Sequence, residues 1–302
     1  MAAVGNQQLQ LPVFSKKELK VYLKRLDLVH LPVAGNKYFK LKYNLEKAQK
    51  EGYHTLLTFG GAYSNHILAT AQAGKKAGMQ TIGLIRGDEL AEIWEDNPTL
   101  KAASEAGMRL IFLSRAEYRN KTDRSFIENL EKDLGKFYLL PEGGTNRLAV
   151  LGCKEILTPD DSKFEYICCP IGTGGTLAGL VNSSEEGQSV LGFASLKGHN
   201  FQEDIRKFTS GENWKMVADY HFGGYARISE QLISFINNFH KDTGIPLDPV
   251  YTGKMMYGLT DLAERDYFPR GTSILAIHTG GLQGIAGMNI LLKKKNLPLL
   301  GL

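Results

Sequence analysis

The sequence contains few cysteines, and their arrangement argues against both disulfides and zinc. There are three cysteines in 302 residues, and Cys168 and Cys169 are neighbours inside an apolar segment. Because successive residues of a strand point to opposite faces, this pair is poorly placed for a disulfide. The chain has no CxxC motif and no Cys/His spacing typical of a zinc site. We therefore expect a reduced protein without a bound metal.

Long apolar runs are also missing, as is a targeting segment. No apolar stretch approaches the roughly 20 residues that a transmembrane helix needs. Residues 1–12 are polar and lack the succession of basic and apolar segments that is typical of a signal peptide. These features predict a soluble, cytoplasmic protein without a membrane partner.

Charge of neither sign is concentrated in one part of the chain. The 36 basic and 32 acidic residues leave a formal net charge of +4, and no nucleic-acid-binding motif accompanies the basic ones. We therefore expect the ligands to be small anionic molecules and not nucleic acid. The length and the 43% hydrophobic content fit a globular protein with one large domain or two subdomains.

From about residue 54 the chain alternates short apolar runs with helical patterns. Strands are predicted at 55–59, 81–85, 110–113, 138–140, 166–171, 189–195, 215–220 and 273–278. Helices are predicted at 64–77, 98–106, 125–134, 149–157, from 176 onwards, and near 203–208, 229–239 and 254–264. This alternation predicts an α/β protein with doubly wound, mostly parallel sheets. Ligands of such sheets bind beyond the carboxyl ends of the strands, so motifs at strand ends are the candidates for chemistry.

A lysine-rich motif precedes a helical pattern near the N-terminus. Lys37 follows Gly35 and Asn36, and Lys40 and Lys42 come shortly after it. Crowding or burial can depress the pKa of one of these lysines, and an amine must be neutral to attack a carbonyl. The alternative interpretation is a solvated basic face at a helix start, because most lysines are exposed.

A glycine-rich turn directly follows the apolar segment at 166–171 and reads Gly172-Thr173-Gly174-Gly175-Thr176. Glycines let backbone N–H groups converge on one point, and the threonines add hydroxyl donors, so the turn can bind a phosphate. It lacks the Lys-Ser/Thr ending of a P-loop and the acidic residue expected about 20 positions later in a dinucleotide site. The pattern favours a phosphate monoester and disfavours a nicotinamide dehydrogenase. An ordinary strand-to-helix turn is the alternative.

Three further segments place polar residues at predicted element ends. Ser64, Asn65 and His66 follow Gly60 and Gly61, where they either bind a carboxylate or simply cap a helix. In the other two segments a threonine, Thr252 or Thr279, stands directly before glycine.

Taken together, the motifs resemble the 1-aminocyclopropane-1-carboxylate deaminase / D-cysteine desulfhydrase family of pyridoxal-phosphate enzymes, which has the fold type II (tryptophan synthase β-like) architecture. The resemblance rests on Gly35-Asn36-Lys37, Gly60-Gly61 with Ser64-Asn65-His66, Pro141-Glu142-Gly143-Gly144-Thr145-Asn146, Gly172-Thr173-Gly174-Gly175-Thr176, Asp248-Pro249-Val250-Tyr251-Thr252-Gly253-Lys254 and His278-Thr279-Gly280-Gly281. It implies two doubly wound, mostly parallel α/β domains, a small one at 46–146 and a large cofactor-binding one formed by 1–45 and 147–302. It also implies pyridoxal 5'-phosphate as cofactor, a small amino acid as substrate and a homodimer.

The same resemblance implies roles for individual residues. Lys37 would form the Schiff base with the cofactor and handle the substrate α-proton, and the turn from Gly172 to Thr176 would bind the cofactor phosphate. Asn65 would contact the phenolic oxygen of the cofactor, and Ser64 would contact the substrate carboxylate or act beside it. The remaining implied residues are Tyr225 and Tyr251, flanking the substrate, and Thr252 and Thr279, near the cofactor.

Two threonines favour one activity within the family. By this resemblance, deaminases that open the cyclopropane ring have glutamate at the position of Thr252 and tend to have leucine at the position of Thr279. A hydroxyl leaves the cofactor's ring nitrogen largely neutral, which suits elimination of a good leaving group. The favoured activity is therefore β-elimination from D-cysteine to pyruvate, ammonia and hydrogen sulfide. Ring opening of 1-aminocyclopropane-1-carboxylate to 2-oxobutyrate is the alternative, followed by a non-catalytic protein that binds a phosphate ligand. Tyr38-Phe39 and the segment from Phe222 to Arg227 depart from the family pattern.

Overall fold

The computed structural model describes residues 5–29, 32–198 and 201–301. Its strands are β1 (Asn6–Gln8), β2 (Lys20–Arg25), β3 (Thr55–Gly60), β4 (Gln80–Arg86), β5 (Met108–Leu113), β6 (Tyr138–Leu140), β7 (Tyr166–Ile171), β8 (Ser189–Ala194), β9 (Trp214–Val217) and β10 (Ser273–His278). Its α-helices are α1 (Pro12–Lys16), α2 (Asn36–Lys50), α3 (Asn65–Ala77), α4 (Pro98–Glu105), α5 (Arg115–Arg119), α6 (Arg124–Leu134), α7 (Arg147–Cys153), α8 (Gly175–Val181), α9 (Phe201–Arg206), α10 (Glu230–Thr243), α11 (Thr252–Glu264) and α12 (Gly284–Lys294). No helix within these ranges combines the length and the apolar character needed to cross a bilayer.

The strands form two sheets. Four parallel strands in the order β5-β4-β3-β6 make the smaller sheet. The larger sheet has the order β1-β2-β10-β7-β8-β9, and only its edge strand β1 runs antiparallel to its neighbour. The predicted α/β class with mostly parallel sheets is confirmed. The domain boundaries at residues 46 and 146 stay a prediction, although all strands of the smaller sheet fall between them.

Both faces of the larger sheet are covered by apolar side chains. Cys168 belongs to one core cluster and Cys169 to the cluster on the other face, as expected for neighbours on a strand. Both thiols are free and fully buried, and burial raises their pKa. They are therefore packing residues.

Helix α2 carries the candidate lysine and packs on helices of both sheets. It contacts α7 on one side and α3 on the other. The approach to α7 is close, because a Cβ built at Gly152 would lie 1.9 Å from the carbonyl oxygen of Phe39. This position therefore tolerates only glycine, and the contact fixes α2 between the sheets.

Several elements of the structure were not predicted from the sequence. Strand β2 was not predicted because its six residues include two lysines and an arginine. Lys24 is nevertheless buried there, because its Nζ pairs with Asp161 Oδ2 at 2.7 Å. The short polar strand β1 and the helices α1, α5 and α12 were also missed, and the strand predicted at 215–220 lies at Trp214–Val217.

Candidate active site

The start of α2 is held against the end of strand β10. The backbone N–H of Asn36 donates to the carbonyl oxygen of Thr279 at 3.2 Å. Gly35 precedes the helix with φ of 73°, and a Cβ there would lie only 2.2 Å from the same oxygen. Only glycine allows this approach. The Gly-Asn pair therefore places Lys37 beside the carboxyl end of β10.

The Lys37 amine lies in an environment that disfavours its charged form. Burial, followed by the charge of Lys40, lowers the pKa of Lys37 to about 7. Its nearest hydrogen-bond partner is Asn36 Oδ1, at 3.4 Å, which is a weak contact. A large fraction of the amine is therefore neutral near pH 7, which is the condition for attack on a carbonyl.

The glycine-rich turn after β7 faces the same helix. Asn36 Nδ2 donates to Thr176 Oγ1 at 2.8 Å, and Lys40 Nζ donates to Thr173 Oγ1 at 3.2 Å. Lys40 is 2% exposed and also donates to the Gly143 carbonyl oxygen and to Thr145 Oγ1, at 3.0 and 2.9 Å. The turn thus brings hydroxyls, glycine backbone and a buried cation together, which is the chemistry that a phosphate requires.

Most of the predicted residues line one cavity, which we call the cofactor cavity. Its lining consists of Asn36, Lys37, Lys40, Asn65, Gly143, Pro170, Gly172, Thr173, Gly174, Thr176, Leu177, Tyr251 and Thr279. A nucleophilic amine and a cradle for an anion therefore share one space. Pyridoxal phosphate carries an aldehyde and a phosphate monoester, so these residues fit it.

Asn65 occupies a central position in the site. Its Oδ1 accepts a short hydrogen bond from Gln283 Nε2. Its Nδ2 lies 2.5 Å from where a Cβ at Gly281 would be, so the glycine leaves room for the amide. The side chain of Asn65 is thereby oriented by residues near the start of α12, a helix that the sequence did not predict.

Ser64 and Thr252 lie elsewhere than the cofactor cavity. Ser64 Oγ accepts from the backbone N–H of Ile67 at 3.4 Å and so caps α3. Thr252 is fully buried, and its Oγ1 donates to Asp248 Oδ2 at 2.5 Å and accepts from the Asp248 backbone N–H at 3.0 Å. Both hydroxyls therefore form hydrogen bonds at the starts of helices, Ser64 at α3 and Thr252 at α11.

The predicted Gly175 is the first residue of α8, and a Cβ built there would lie 2.8 Å from the Thr145 side chain.

A second, larger space of about 540 Å³, which we call the outer cavity, adjoins the first. It is lined by Gly61, Ala62, Tyr63, Asn65, Arg86, Glu89, Leu90, Arg115, Tyr118, Arg119, Lys121, Tyr225, Ala226, Asp248, Val250, Tyr251, Gly281, Gly284, Met288 and Leu291. Asn65 and Tyr251 line both cavities. The rings of Tyr225 and Tyr251 meet edge to face with centroids 6.4 Å apart. Burial raises the pKa of Tyr251, so its hydroxyl stays protonated.

Sequence reasoning missed two buried lysines that shape the site. Lys40 was noted only as part of a motif, although its spacing of three residues from Lys37 puts both on one face of α2. Lys254 is 1% exposed and donates to the carbonyl oxygens of His221 and Gly224, at 2.9 and 2.7 Å. It therefore anchors the loop that carries Tyr225. No local sequence signal reveals this contact, because its partners lie 30 or more positions away.

The chain is similar to known proteins over most of its length. Pyridoxal-phosphate dependent enzymes form the family that matches residues 2–280. A Pyrococcus horikoshii protein, provisionally named 1-aminocyclopropane-1-carboxylate deaminase, is 34% identical over 281 aligned positions, which cover 87% of this chain and 85% of that protein. An Arabidopsis thaliana mitochondrial protein, named bifunctional D-cysteine desulfhydrase/1-aminocyclopropane-1-carboxylate deaminase, is 30% identical over 302 positions, covering 88% of this chain and 73% of that protein.

A solved structure gives the same assignment. The crystal structure of an ACC deaminase homologue has a TM-score of 0.84 and 29% identity, and it covers 97% of this chain and 94% of that one. The family match spans more than half of the chain, and the two sheets have the mostly parallel arrangement of fold type II. This chain belongs to the family of pyridoxal-phosphate dependent enzymes.

Proposed function

We propose that this enzyme is a lyase that removes the β-substituent and the amino group of a small amino acid, with D-cysteine as the favoured substrate. The observation that carries the proposal is the Lys37 amine, whose pKa is lowered to about 7, in the same cavity as the glycine-rich turn. The products would be pyruvate, ammonia and hydrogen sulfide.

The lining of the cofactor cavity supports elimination over ring opening. No aspartate or glutamate is among its described lining residues, and Thr279 is present there. A cavity without a carboxylate leaves the cofactor's ring nitrogen largely neutral, and departure of thiolate makes a modest demand on the cofactor. The bound cofactor supplies an electron sink for the electron pair left at Cα.

The residues of the chain have separate tasks in this scheme. Lys37 Nζ accepts the Cα proton, and a neutral amine near pH 7 suits a general base. Lys40, with Thr173 and Thr176, holds the phosphate and thereby fixes the cofactor relative to Lys37. Asn65 and Tyr251 border the substrate, since they line both cavities. Tyr225 lines the outer cavity beside Tyr251 and would flank the substrate there.

Ring opening of 1-aminocyclopropane-1-carboxylate is the second candidate. The names of the Pyrococcus horikoshii and Arabidopsis thaliana relatives support it. An absorbance spectrum of the purified protein with added pyridoxal phosphate, followed by addition of each substrate, separates the two. Sulfide and pyruvate from D-cysteine would support the proposal, whereas 2-oxobutyrate from the cyclopropane with no sulfide from D-cysteine would refute it.

Variants of two lysines on α2 test the role of Lys37. Lys37→Ala should abolish turnover and the absorbance of covalently attached cofactor. Lys42→Ala is the matched control, because Lys42 Nζ pairs with Glu155 Oε2 at 2.7 Å, outside both cavities. A protein that stays colourless with added cofactor would instead be a non-catalytic binder of a phosphate ligand.

Assembly and location also belong to this proposal. We expect a homodimer in the cytoplasm, with a small domain at 46–146. Light scattering on the holoenzyme tests the dimer, and limited proteolysis near residues 46 and 146 tests the boundaries.

A further inference from the structure

Cationic side chains outnumber carboxylates among the described residues that line the outer cavity. Its lining carries four cations, Arg86, Arg115, Arg119 and Lys121, and two carboxylates, Glu89 and Asp248. A small amino acid with a neutral side chain brings one anion, its α-carboxylate, so an excess of cations leaves room for a second anionic group. The ion-pair partners of these four cations therefore decide how much positive charge is available to a ligand.

Both carboxylates are already engaged. Glu89 Oε1 accepts from Arg115 Nη2 at 2.8 Å. The Asp248 carboxylate accepts backbone N–H groups at the start of α11, including that of Thr252 at 2.8 Å. Lys121 Nζ lies 3.5 Å from Glu142 Oε2.

Arg86 and Arg119 are the two cations of this lining whose charge is not paired with a carboxylate of the described residues. Across residues 5–29, 32–198 and 201–301, neither forms an ion pair with a side chain, and both are exposed. Exposed arginines without partners are common, so their place in the cavity decides their meaning.

Arg86 is held close to the inner end of the outer cavity. It is the last residue of β4, the neighbour of β3 in the smaller sheet. Its Nη2 lies 3.6 Å from the position of a Cβ at Gly61, in the loop that leads to Asn65. Its Cζ lies 5.8 Å from the ring centroid of Tyr118, whose hydroxyl is fixed by a 2.8 Å hydrogen bond to Glu142. The guanidinium thus lies beside the loop that leads to Asn65, and Asn65 itself lines both cavities.

We infer that Arg86, supported by Arg119, forms an anion subsite for the β-substituent of the substrate. The preferred substrates are then alanines whose β-substituent is an anion or departs as one. This inference deepens the proposed function and rests on it.

The elimination itself balances without a redox partner. The Cα proton passes to Lys37, the bond from Cβ to sulfur breaks, and its electron pair leaves with sulfur as a Cα–Cβ double bond forms. Water then hydrolyses the resulting enamine to pyruvate and ammonium. A guanidinium beside the departing thiolate stabilises the charge that develops there, which ring opening of a neutral cyclopropane does not require.

Binding to the holoenzyme tests the subsite without turnover. D-cysteate carries a β-sulfonate and D-alanine has no substituent, so their dissociation constants, read from the visible absorbance of the bound cofactor, isolate the anion. We expect D-cysteate to bind the wild type about tenfold or more tightly than D-alanine, because only D-cysteate offers an anion to a charge-assisted hydrogen bond from the guanidinium. R86Q should abolish most of this preference, and R119Q should reduce it.

The control is R124Q. Arg124 is exposed on α6, pairs with Glu128 at 2.7 Å and lines neither cavity. It should retain the preference of the wild type. In turnover, R86Q should lower kcat/KM for D-cysteine more than for 1-aminocyclopropane-1-carboxylate.

Two results would overturn the inference. The wild type could bind D-cysteate no better than D-alanine, or R86Q could weaken both ligands equally, which would assign Arg86 to the α-carboxylate. Failure of the proposed function is distinguishable, because D-cysteine would then yield no sulfide while the Arg86-dependent preference for D-cysteate persists.

Discussion

Lys40 Nζ donates a 3.2 Å hydrogen bond to Thr173 Oγ1, although 133 positions separate the two residues in the chain. The contact joins α2, which carries Lys37, to the glycine-rich turn after β7. Lys40 therefore has two functions. It supports the phosphate cradle, and its charge is the second cause, after burial, of the lowered pKa of Lys37.

Removal of the Lys40 charge should weaken cofactor binding. Lys40→Met loses the donor to Thr173, Thr145 and the Gly143 carbonyl. We expect the dissociation constant of pyridoxal phosphate to rise about 10- to 100-fold, since charged hydrogen bonds contribute roughly 1.5–3 kcal/mol. Equilibrium titration measures it, with Lys42→Met as the control on the same helix. An unchanged affinity would refute the role of Lys40 in the cradle.

Capture of the cofactor should depend on pH through the titration of Lys37. Its pKa is about 7, so the reactive neutral amine is lost as the pH falls below 7 and predominates above it. The rate of cofactor capture, followed by stopped-flow absorbance, should rise with pH and have its midpoint near 7. In Lys40→Met the midpoint should move to higher pH, because a neighbouring positive charge has been removed. A wild-type midpoint near 10.5, the ordinary lysine value, would contradict the effect of burial.

Thr252 and Thr279 should have different effects when replaced by valine. Thr252→Val removes the donor to Asp248 Oδ2 and leaves the buried Asp248 N–H without an acceptor. We expect a loss of about 1–3 kcal/mol in the free energy of unfolding, with the ratio of D-cysteine to cyclopropane turnover unchanged. Thr279→Val, in the cofactor cavity, should change that ratio. Urea denaturation and parallel kinetics measure both, and a changed ratio in Thr252→Val would show that Thr252 acts on the cofactor.

Lys254 should produce a stability difference that depends on pH. Burial lowers its pKa to about 8, so between pH 8 and 10.5 the unfolded chain binds more protons at this lysine than the folded one. The free energy of unfolding of the wild type should therefore rise relative to Lys254→Met in this window, by at most about 1.4 kcal/mol per pH unit. Urea denaturation of both proteins at pH 8 and 10 measures the difference. A difference that falls with pH would mean that the pKa of Lys254 is not lowered.

The same variant tests the loop of Tyr225. Without Lys254 the carbonyl oxygens of His221 and Gly224 lose their charged donor. Phe222 and Ala226 in this loop have φ of 51° and 53°, a conformation that side chains other than glycine rarely adopt. We expect Lys254→Met to lower kcat/KM while cofactor affinity is retained. Equal losses in both would indicate a general loss of folding.

Much of the cofactor cavity could be predicted because its parts are local motifs. Lys37 and the turn from Gly172 to Thr176 are recognisable from residues within a few positions, and both lie where strand-end motifs were expected. Ser64 and Thr252 were harder to place. Serine and threonine serve equally as ligand contacts and as helix caps, and only the position of the neighbouring backbone distinguishes the two.

The sequence by itself determined the alternation of strands and helices, the parallel sheets and the strand ends that carry chemistry. These follow from side-chain periodicity and from the backbone freedom of glycine, which act over a few residues. Only the tertiary structure decided that Lys40 reaches Thr173, that Lys24 is buried in β2, and that Arg86 lines the outer cavity with no ion-pair partner among the described residues. Burial, ion pairing and the pKa of Lys37 depend on groups that are distant in the chain, and they take definite values only when packing brings those groups together.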